Sequence, residues 1–362
     1  VEITIQRLGE EPFARKLIRD KIPLKSLVSS FMIDNQTGYI KLSRFSKKTF
    51  EEFLKTYTDL EKKGMENLLL DLRDNPGGLL DQAINLLDMF ISTNDTLLYT
   101  KGRIWGSNEA YYATYNDKDK TLPIICIINR GSASASEIIS GTFQDLDRGL
   151  VIGETSFGKG SVQRQYELDD SSATRITIAK YYTPSGRSIQ RSYEDGTDEY
   201  YFYNLEDNRE LTDSIKNTLP TFKTRKGRKV YGGGGITPDI YYRDTTKISK
   251  ASLDLVFSSQ RPLFNYAENI KNQYKKYQDY QSFYKQKNIN YSQFIKWLKN
   301  NNYNFEEDSL KKDWEYIENR IVAELANKIF NRNQYYKTII LNDKTVLEAL
   351  NYFEDARLLL LN

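Results

Sequence analysis

Two short segments of the chain combine the residue types of a nucleophile and a base. One is a serine cluster, Asn129-Arg-Gly-Ser-Ala-Ser-Ala-Ser-Glu137, and the other is a lysine between two glycines, Gly158-Lys159-Gly160. The chain has no histidine and a single cysteine, Cys126. Because of this composition, a Ser-His-Asp triad, a Cys-His pair and a histidine-ligated metal are excluded within one subunit. If the chain is a hydrolase, its base must be a lysine or a carboxylate.

Lys159 can act as a base only if its surroundings favour the neutral amine. A free lysine has a pKa of about 10.4 and is almost entirely protonated at neutral pH. Burial among apolar neighbours disfavours the ammonium form and can bring a lysine to about 7 or 8. Phe157 offers an apolar wall, and Gly158 and Gly160 allow a tight bend and a close approach to another element. We therefore expect Lys159 to be withdrawn from solvent.

The serine cluster supports two interpretations. Ser134 and Glu137 have the spacing of a capping box, in which both side chains accept backbone N–H groups at a helix start. In that case the cluster only begins a helix. A serine at a helix start also lies beside free N–H groups and the positive end of the helix dipole, which would stabilise the oxyanion of an acyl transfer. The pattern alone leaves both interpretations open.

Lys159 also fits much of a phosphate-binding loop, because Gly153-Glu-Thr-Ser-Phe-Gly-Lys159 follows the apolar segment 150–152. Two observations disfavour nucleotide binding. A P-loop needs serine or threonine directly after the lysine for the metal ion, and Gly160 occupies that position. It also needs a helix next, whereas the residues from Ser161 to Leu168 alternate as those of a strand do.

Five motifs follow one another along the chain. They are Asp71-Leu-Arg-Asp-Asn-Pro-Gly-Gly78, Asn129-Arg-Gly-Ser-Ala-Ser-Ala-Ser-Glu-Ile138, Gly153-Glu-Thr-Ser-Phe-Gly-Lys-Gly-Ser-Val-Gln163, Ala179-Lys-Tyr-Tyr-Thr-Pro-Ser-Gly-Arg-Ser-Ile-Gln190 and Gly235-Ile-Thr-Pro-Asp-Ile240. In these motifs and their order, the chain resembles the carboxyl-terminal processing peptidases, or tail-specific proteases, of serine peptidase family S41 over roughly residues 38–243. The resemblance implies that Ser134 is the nucleophile, Lys159 the base and Gln163 a support for the lysine.

The segment that ends at Gly78 has a structural and a catalytic interpretation. Proline followed by glycine is typical of a type II turn, here between the apolar strand 67–72 and the next helix. The family resemblance implies that the same turn supplies one half of an oxyanion hole, from Gly77 or Gly78. The other half would be the N–H of Ala135, the residue after the nucleophile. We expect both roles, and the sequence does not decide between the two glycines.

Sequence spacing predicts the positions of two further polar residues, Gln163 and Asp145, relative to Lys159 and Ser134. Gln163 lies four residues after Lys159, and side chains repeat every two residues along a strand, so we expect both on one face. An amide there would hold the neutral amine by a hydrogen bond. Asp145 lies about three helical turns from Ser134, at a rise of about 1.5 Å per residue, and we interpret it as structural.

The order of the predicted elements indicates an α/β fold. From residue 31 to about 245, strands and helices alternate, which is typical of helices packed on a largely parallel sheet. The resemblance implies that this region is a serine protease core of the ClpP/crotonase-like kind. The predicted elements are strands 38–45, 67–72, 96–101 and 122–128, strands near Leu150, Val162 and Ile176, and helices 47–63, 79–91 and 134–146.

The ends of the chain differ from this core. Residues 1–30 are predicted to form two strands, over 1–7 and 22–28, and resemble the trailing edge of a truncated PDZ module. Residues 246–362 have apolar positions at helical spacing and are predicted to form a helical C-terminal domain. Residues 192–230 lack clear periodicity and are predicted to be a surface insertion, or simply a long loop.

The resemblance implies a serine endopeptidase that cleaves polypeptides near their C-termini, needs no cofactor and acts in the bacterial cell envelope, in the periplasm. Its partners would be extended C-terminal segments of polypeptides, with no metal, and a homo-oligomer is an open possibility. The net charge of +3 gives no indication of nucleic-acid binding. No signal peptide or membrane span is visible, and Val1 as first residue suggests an excised fragment. The alternative function is a catalytically silent scaffold of the same fold that binds peptides by strand addition.

Overall fold

The computed structural model describes residues 1–6, 11–21, 24–92, 94–114, 121–192 and 213–361. The chain divides into two compact units, each built from segments that are distant in sequence. The larger unit contains Lys25–Asp244 and Asp343–Asn362, and the smaller unit contains Val1–Leu24 and Thr245–Asn342. The three functional domains inferred from the sequence stay predictions.

Strands dominate the larger unit and helices the smaller one. In chain order, the elements are β1 (Glu2–Ile5), β2 (Phe13–Lys16), β3 (Leu27–Met32), β4 (Thr37–Leu42), α1 (Thr49–Glu61), β5 (Asn67–Asp71), α2 (Leu80–Asp88), β6 (Thr96–Lys101), β7 (Ala110–Tyr112), β8 (Ile124–Ile128), α3 (Ala135–Asp145), β9 (Leu150–Gly153), β10 (Ser161–Glu167), β11 (Ala173–Tyr182), α4 (Asp213–Lys216), β12 (Thr221–Lys223), β13 (Lys229–Tyr231), β14 (Ile240–Tyr241), α5 (Lys250–Val256), α6 (Pro262–Tyr274), α7 (Tyr280–Gln286), α8 (Tyr291–Asn300), α9 (Glu307–Lys312), α10 (Trp314–Ile329), α11 (Arg332–Ile340), α12 (Lys344–Leu350) and α13 (Phe353–Leu361).

A six-stranded sheet forms the centre of the larger unit, in the order β14-β9-β8-β5-β4-β3. Neighbours from β4 to β14 are parallel, and β3 pairs antiparallel with β4. β5 and β8 are buried along their whole length. Strands covered on both faces select continuous apolar runs, which explains why these two were visible in the sequence. The α/β fold with a largely parallel sheet is confirmed.

Three helices of the larger unit lie inside their predicted ranges. α1 buries Phe53, Tyr57 and Leu60 on one face, as its helical spacing of apolar residues indicates. α2 likewise buries Leu86 and Leu87. α3 is buried at every position, so this helix, which begins directly after the serine cluster, lies inside the core.

A second, antiparallel sheet of the larger unit has the order β10-β11-β6-β7. Residues 163–177, which form most of the β10–β11 ribbon, are exposed. Within the predicted surface insertion, residues 193–212 lie outside the described residues. The described remainder contains α4 and an antiparallel hairpin of β12 and β13, so it is more than a plain loop. Three-residue strands are too short to produce a periodic signal in the sequence.

The smaller unit consists of the helices α5 to α11 and the β1–β2 hairpin. Its core includes Leu310, Ile317, Ile321 and Leu325, so the apolar positions at helical spacing predicted in this region do lie on helices and are buried. Of the strand predicted over 22–28, residues 22 and 23 lie outside the described residues, 24–26 are not in a strand, and β1 pairs with β2. Leu27–Met32 forms β3, because its alternate side chains are buried beside β4 in the central sheet. None of the helices in the described ranges combines the length and apolar character needed to cross a bilayer.

Candidate active site

All of the predicted site residues except Gln163 lie in turns that follow three adjacent parallel strands. A glycine turn (residues 73–79) follows β5, a serine turn (129–136) follows β8, and a lysine turn (154–160) follows β9. Because the strands are parallel neighbours, the turns after them meet at the same edge of the sheet. This carboxyl edge is where open α/β sheets generally bind ligands.

Ser134 differs from the two serines on either side of it. Ser132 and Ser136 are fully buried, and their hydroxyls donate to the Leu72 carbonyl at 2.8 Å and to the Asn75 carbonyl at 2.9 Å. Ser134 is half-buried and occupies the N-cap position of α3, in a capping box with Glu137. Its backbone φ of 54° is one that residues other than glycine rarely adopt, and such strain persists where surrounding structure enforces it. Ser134 is therefore the partly accessible serine of the three, held in a constrained conformation.

Glu137 connects the serine turn to the lysine turn. Its side chain is fully buried, and its carboxylate accepts four hydrogen bonds. Oε2 accepts from the Ser134 and Lys159 backbone N–H groups, both at 2.8 Å. Oε1 accepts from the Gly158 N–H at 2.6 Å and from the Ser156 hydroxyl at 2.5 Å. Because one oxygen atom accepts from both N–H groups, the backbones of Ser134 and Lys159 lie close together.

The environment of Glu137 has opposing electrostatic effects. Burial raises the pKa of this carboxyl, while the four hydrogen bonds that it accepts act in the other direction. The sequence indicated Glu137 only as the acidic member of a capping box, and that contact with the Ser134 N–H is present. Its second contact, to the lysine turn, was missed because nothing in the spacing shows how far a buried carboxylate reaches across the fold.

The lysine turn is held by close backbone contacts. Gly158 has φ 88°, and a Cβ at Gly160 would lie 2.6 Å from the Gln190 nitrogen, so both positions require glycine. The Ser156 hydroxyl also accepts the Ile236 N–H at 2.7 Å. The motif that begins at Gly235 therefore supports the lysine turn directly, a role that the sequence did not reveal.

Lys159 itself is half-buried rather than fully withdrawn from solvent. Within the described ranges its side chain forms no ion pair and no hydrogen bond. Phe157 lies beside it in sequence, and the Phe157 ring packs against the guanidinium of Arg191, 5.4 Å from the ring centroid. Strand β10, and not a helix, follows the turn, so the arrangement that a P-loop requires is absent here.

The two candidate oxyanion-hole glycines have different hydrogen-bonding states. A Cβ at Gly77 would lie 2.6 Å from the Ala133 carbonyl oxygen and 2.8 Å from the Ala135 nitrogen, which places Gly77 against the serine turn. The Gly77 N–H donates to Asn75 Oδ1 at 2.9 Å. Among the residues that the structure describes, the N–H groups of Gly78 and Ala135 have no acceptor. These two donors are therefore available to a ligand.

Asn75 joins the glycine and serine turns and was not singled out from the sequence. Its backbone carbonyl accepts the Ala133 N–H at 3.0 Å, and its side-chain amide donates to the Leu42 carbonyl at 3.0 Å. Asp74 adds a second connection, because its carboxylate accepts from the Asn129 side chain at 2.9 Å. The two turns are thus fixed to each other by side chains and backbone together.

Gln163 lies on β10 and is exposed. The argument that strand repetition puts it on the same face as Lys159 is wrong, because β10 begins only at Ser161 and Lys159 precedes it. The pairing of β10 with β11 also shifts register between Val162 and Gln163. A register shift reorients the side chains around it, so spacing alone does not place this amide. Support of the lysine by Gln163 stays a prediction.

Asp145 is buried at the far end of α3. Its carboxylate pairs with Arg187 at 2.7 Å and accepts the Ser185 N–H at 3.0 Å. These contacts agree with the structural role inferred from its distance along the helix. Within the described residues, no group of three or more histidine, cysteine, aspartate or glutamate side chains is arranged to hold a metal ion.

Comparison with known proteins identifies relatives of the region that contains these turns. Residues 36–198 match the family model described as Peptidase family S41. The chain is 42% identical over 195 residues to a carboxy-terminal-processing protease of Bartonella bacilliformis, which covers 52% of this chain and 44% of the relative. It is 36% identical over 191 residues to the carboxy-terminal processing protease CtpA of Bacillus subtilis, which covers 53% of this chain and 40% of the relative.

Similarity to solved structures is more limited. The photosystem II D1 C-terminal processing protease is 25% identical, with a TM-score of 0.44, over 64% of this chain and 52% of that protein. The chain spans less than half the length of the two curated relatives above.

Proposed function

We propose that this protein is a serine endopeptidase with Ser134 as nucleophile and Lys159 as base, because residues 36–198 match the model of peptidase family S41. The observation that carries the proposal is the buried carboxylate of Glu137, whose Oε2 accepts the backbone N–H groups of both residues at 2.8 Å. One buried acceptor sets the relative position of the two turns, and fixed geometry between reacting groups is a large part of catalysis.

In the proposed reaction, neutral Lys159 accepts the hydroxyl proton while Ser134 Oγ attacks the peptide carbonyl. The tetrahedral intermediate then breaks its C–N bond, and Lys159 gives the proton to the departing amine. This leaves an ester between Ser134 and the acyl part of the substrate. Lys159 next removes a proton from a water molecule that attacks the ester, and the Ser134 oxygen leaves and regains that proton.

We assign the oxyanion hole to the N–H groups of Gly78 and Ala135. Both lack an acceptor in the described part of the chain, whereas the Gly77 N–H is already bonded to Asn75. Ala135 is also the first residue of α3, where the positive end of the helix dipole lies. Donors fixed before the reaction stabilise the developing negative charge without reorganisation.

The relatives are named for carboxy-terminal processing, and we propose that this chain likewise cleaves polypeptides near their C-termini. β10 lies at the end of its sheet, so an extended substrate segment can add to it as a further strand. Gln163, near the start of β10, would then assist Lys159 from beside the substrate. We further propose a ClpP/crotonase-like core, a PDZ origin for the β1–β2 hairpin, and a bacterial cell envelope location in the periplasm.

The test is digestion of unfolded β-casein in the presence of EDTA, with products followed by mass spectrometry. We expect cleavage by the unmodified chain, and a loss of at least about a thousandfold for Ser134→Ala and Lys159→Ala, since both remove a group that acts in every bond-making step. Lys159→Arg should be equally inactive, because a guanidinium does not give up its proton in proteins.

Matched controls are Ser292→Ala and Lys63→Ala, which change exposed residues and should keep full activity. Retained turnover in Ser134→Ala with loss in Ser136→Ala would show that the nucleophile is misassigned. Binding of casein without cleavage by the unmodified chain would instead favour the catalytically silent scaffold.

A further inference from the structure

The loop between β6 and β7, residues 102–109, exposes two large apolar side chains. Trp105 is 99% exposed and Ile104 is 46% exposed, and no other large apolar side chain in the described ranges is as exposed as Trp105. Tryptophan is normally among the strongly buried residues of a folded protein. Such a side chain held wholly in water costs free energy unless another surface covers it.

The exposure is not a consequence of a loose loop. The Ser107 hydroxyl donates to the Ile104 carbonyl at 2.5 Å, and the Thr100 hydroxyl donates to the Ser107 carbonyl at 2.7 Å. At the base, the Gly102 N–H donates to Asn108 Oδ1 at 2.8 Å. A Cβ at Gly102 would lie 2.1 Å from the Ile178 carbonyl oxygen, so the base of the loop packs directly against β11. Hydrogen bonds thus fix the tip with its apolar residues outward.

The charges around this tip are predominantly positive. Lys101 and Arg103 are exposed, and the one acidic residue of the loop, Glu109, is exposed at its base beside β7. Lys180 of β11 is exposed as well and lies directly opposite Lys101 in the strand register. The tip is also open to solvent, because a Cβ placed at Gly106 would meet no atom within 4 Å. An exposed apolar tip with mostly basic residues around it fits a negatively charged lipid surface better than it fits a small ligand.

We propose that the β6–β7 tip docks the protein on an anionic lipid bilayer. Trp105 and Ile104 enter the boundary between headgroups and acyl chains, where the indole ring is stabilised because it is apolar and keeps a hydrogen-bond donor for the headgroups. Arg103 and Lys180 lie behind them and contact the lipid phosphates. A few apolar side chains together with basic residues give reversible binding at the surface, not insertion across the bilayer. The proposal does not depend on the peptidase assignment.

The experiment is co-sedimentation with vesicles of phosphatidylglycerol and phosphatidylcholine in equal amounts, compared with vesicles of phosphatidylcholine alone. We expect the unmodified chain to bind the anionic vesicles. Trp105→Ser should weaken that binding about tenfold, and Arg103→Gln about fivefold on anionic vesicles with little effect on neutral ones. Trp105→Phe keeps an apolar ring and should bind within about threefold of the unmodified chain.

The matched control is Phe257→Ser, which removes another highly exposed aromatic side chain, 71% exposed, from the smaller unit. It should sediment like the unmodified chain. Subtracting the emission spectrum of Trp105→Phe from that of the unmodified chain gives the emission of Trp105. This emission should shift to shorter wavelengths when anionic vesicles are added. Absence of sedimentation, equal binding by Trp105→Ser, or binding of unfolded polypeptide instead of vesicles through Trp105 would each overturn the proposal.

Discussion

At the scale of single residues, Glu137 has the clearest structural role in the candidate site. One carboxylate accepts from the serine turn through Ser134 and from the lysine turn through Ser156, Gly158 and Lys159. All four partners are donors, so only a group with acceptor capacity on both oxygens satisfies them. Burial makes any unsatisfied donor in this cluster costly. Glu137 is therefore a positioning residue for the proposed dyad.

Glu137→Gln tests this role with almost no change in volume. The amide nitrogen cannot accept, so two of the four donors would lose their partner and each would cost about 1–3 kcal/mol. We expect kcat on a peptide substrate to fall by at least about a hundredfold, because misplaced reacting groups reduce rates steeply. Glu61→Gln, at an exposed position of α1, is the control and should behave like the unmodified chain. Full activity of Glu137→Gln would contradict the assigned role.

Gly77→Ala tests the contact between the glycine and serine turns. The new Cβ would lie 2.6 Å from the Ala133 carbonyl oxygen and 2.8 Å from the Ala135 nitrogen, at a backbone φ of 90°. Gly227→Ala is a matched control, since its φ is 87° and no atom lies within 4 Å of the new Cβ. Both changes carry a strain of about 1 kcal/mol, but only Gly77→Ala should also displace the serine turn and lower kcat. Equal kcat values for the two variants would argue against this geometry.

At the scale of elements, the carboxyl end of β5 is fixed by a buried ion pair. Arg73 pairs with Asp71 at 2.6 Å and with Asp343, at the start of α12, at 2.9 Å. Tyr39 of β4 donates its hydroxyl to Asp71 at 2.7 Å. Burial alone would raise the pKa of Asp71, but Arg73 and Lys41 outweigh it and hold that pKa well below the usual range. The glycine turn therefore starts from a rigidly held strand end.

Asp71→Asn should destabilise the larger unit in a pH-dependent manner. The change leaves Arg73 with Asp343 as its remaining acidic partner, and removing one partner of a buried ion pair costs about 3 kcal/mol at pH 7. Because the folded-state pKa lies below the ordinary value of 3.8, the stability that Asp71 contributes is present above that value and is lost as the pH falls through the folded pKa. The difference in free energy of unfolding between Asp71→Asn and the unmodified chain should therefore be about 1 kcal/mol smaller at about pH 3 than at pH 7.

The measurement is urea unfolding of both proteins at the two pH values. The control Asp169→Asn changes an exposed carboxylate and should neither destabilise the protein nor alter the pH dependence of its stability. A difference between Asp71→Asn and the unmodified chain that stays the same at both pH values would contradict the role of the ionised carboxylate.

At the scale of the whole molecule, Cys126 provides a single chemical probe of the larger unit. It is the only cysteine of the chain and lies fully buried in β8, at the centre of the six-stranded sheet. Burial raises the pKa of its thiol far above the usual range, so the reactive thiolate is scarce in the folded state. Its reactivity therefore reports opening of the sheet and is insensitive to movements of the surface loops.

We expect the native protein to resist a thiol reagent at neutral pH and to react fully in guanidinium chloride. Between these limits the labelling rate should rise with the urea concentration that unfolds the larger unit, because exposure of Cys126 requires separation of central strands. The rate can be followed by mass spectrometry of the single adduct. Rapid labelling of the folded protein would show that the sheet opens locally without unfolding.

Apolar patterns in the sequence are sufficient to predict the elements that bury continuous or periodic apolar faces. β5, β8 and α1 to α3 lie where the patterns predict them, since each pattern directly reflects which side chains leave water. The absence of histidine also restricts the possible chemistry, because composition does not depend on how the chain folds. The strand predicted over 22–28 was placed too early, since β3 begins at Leu27, because short, weakly apolar runs carry little periodic signal.

Contacts between polar groups that are distant in sequence could not be predicted in this way and are visible only in the folded chain. Ser134 and Glu137 are three residues apart and could be paired from the sequence, but the contact of Glu137 with Lys159 joins turns that follow two different strands. The exposure of Gln163 likewise depends on where β10 begins and on its register shift. The apolar pattern of a segment reflects which of its own side chains are buried. Hydrogen bonds between distant turns depend on how the parallel strands align, and this information exists only in the folded chain.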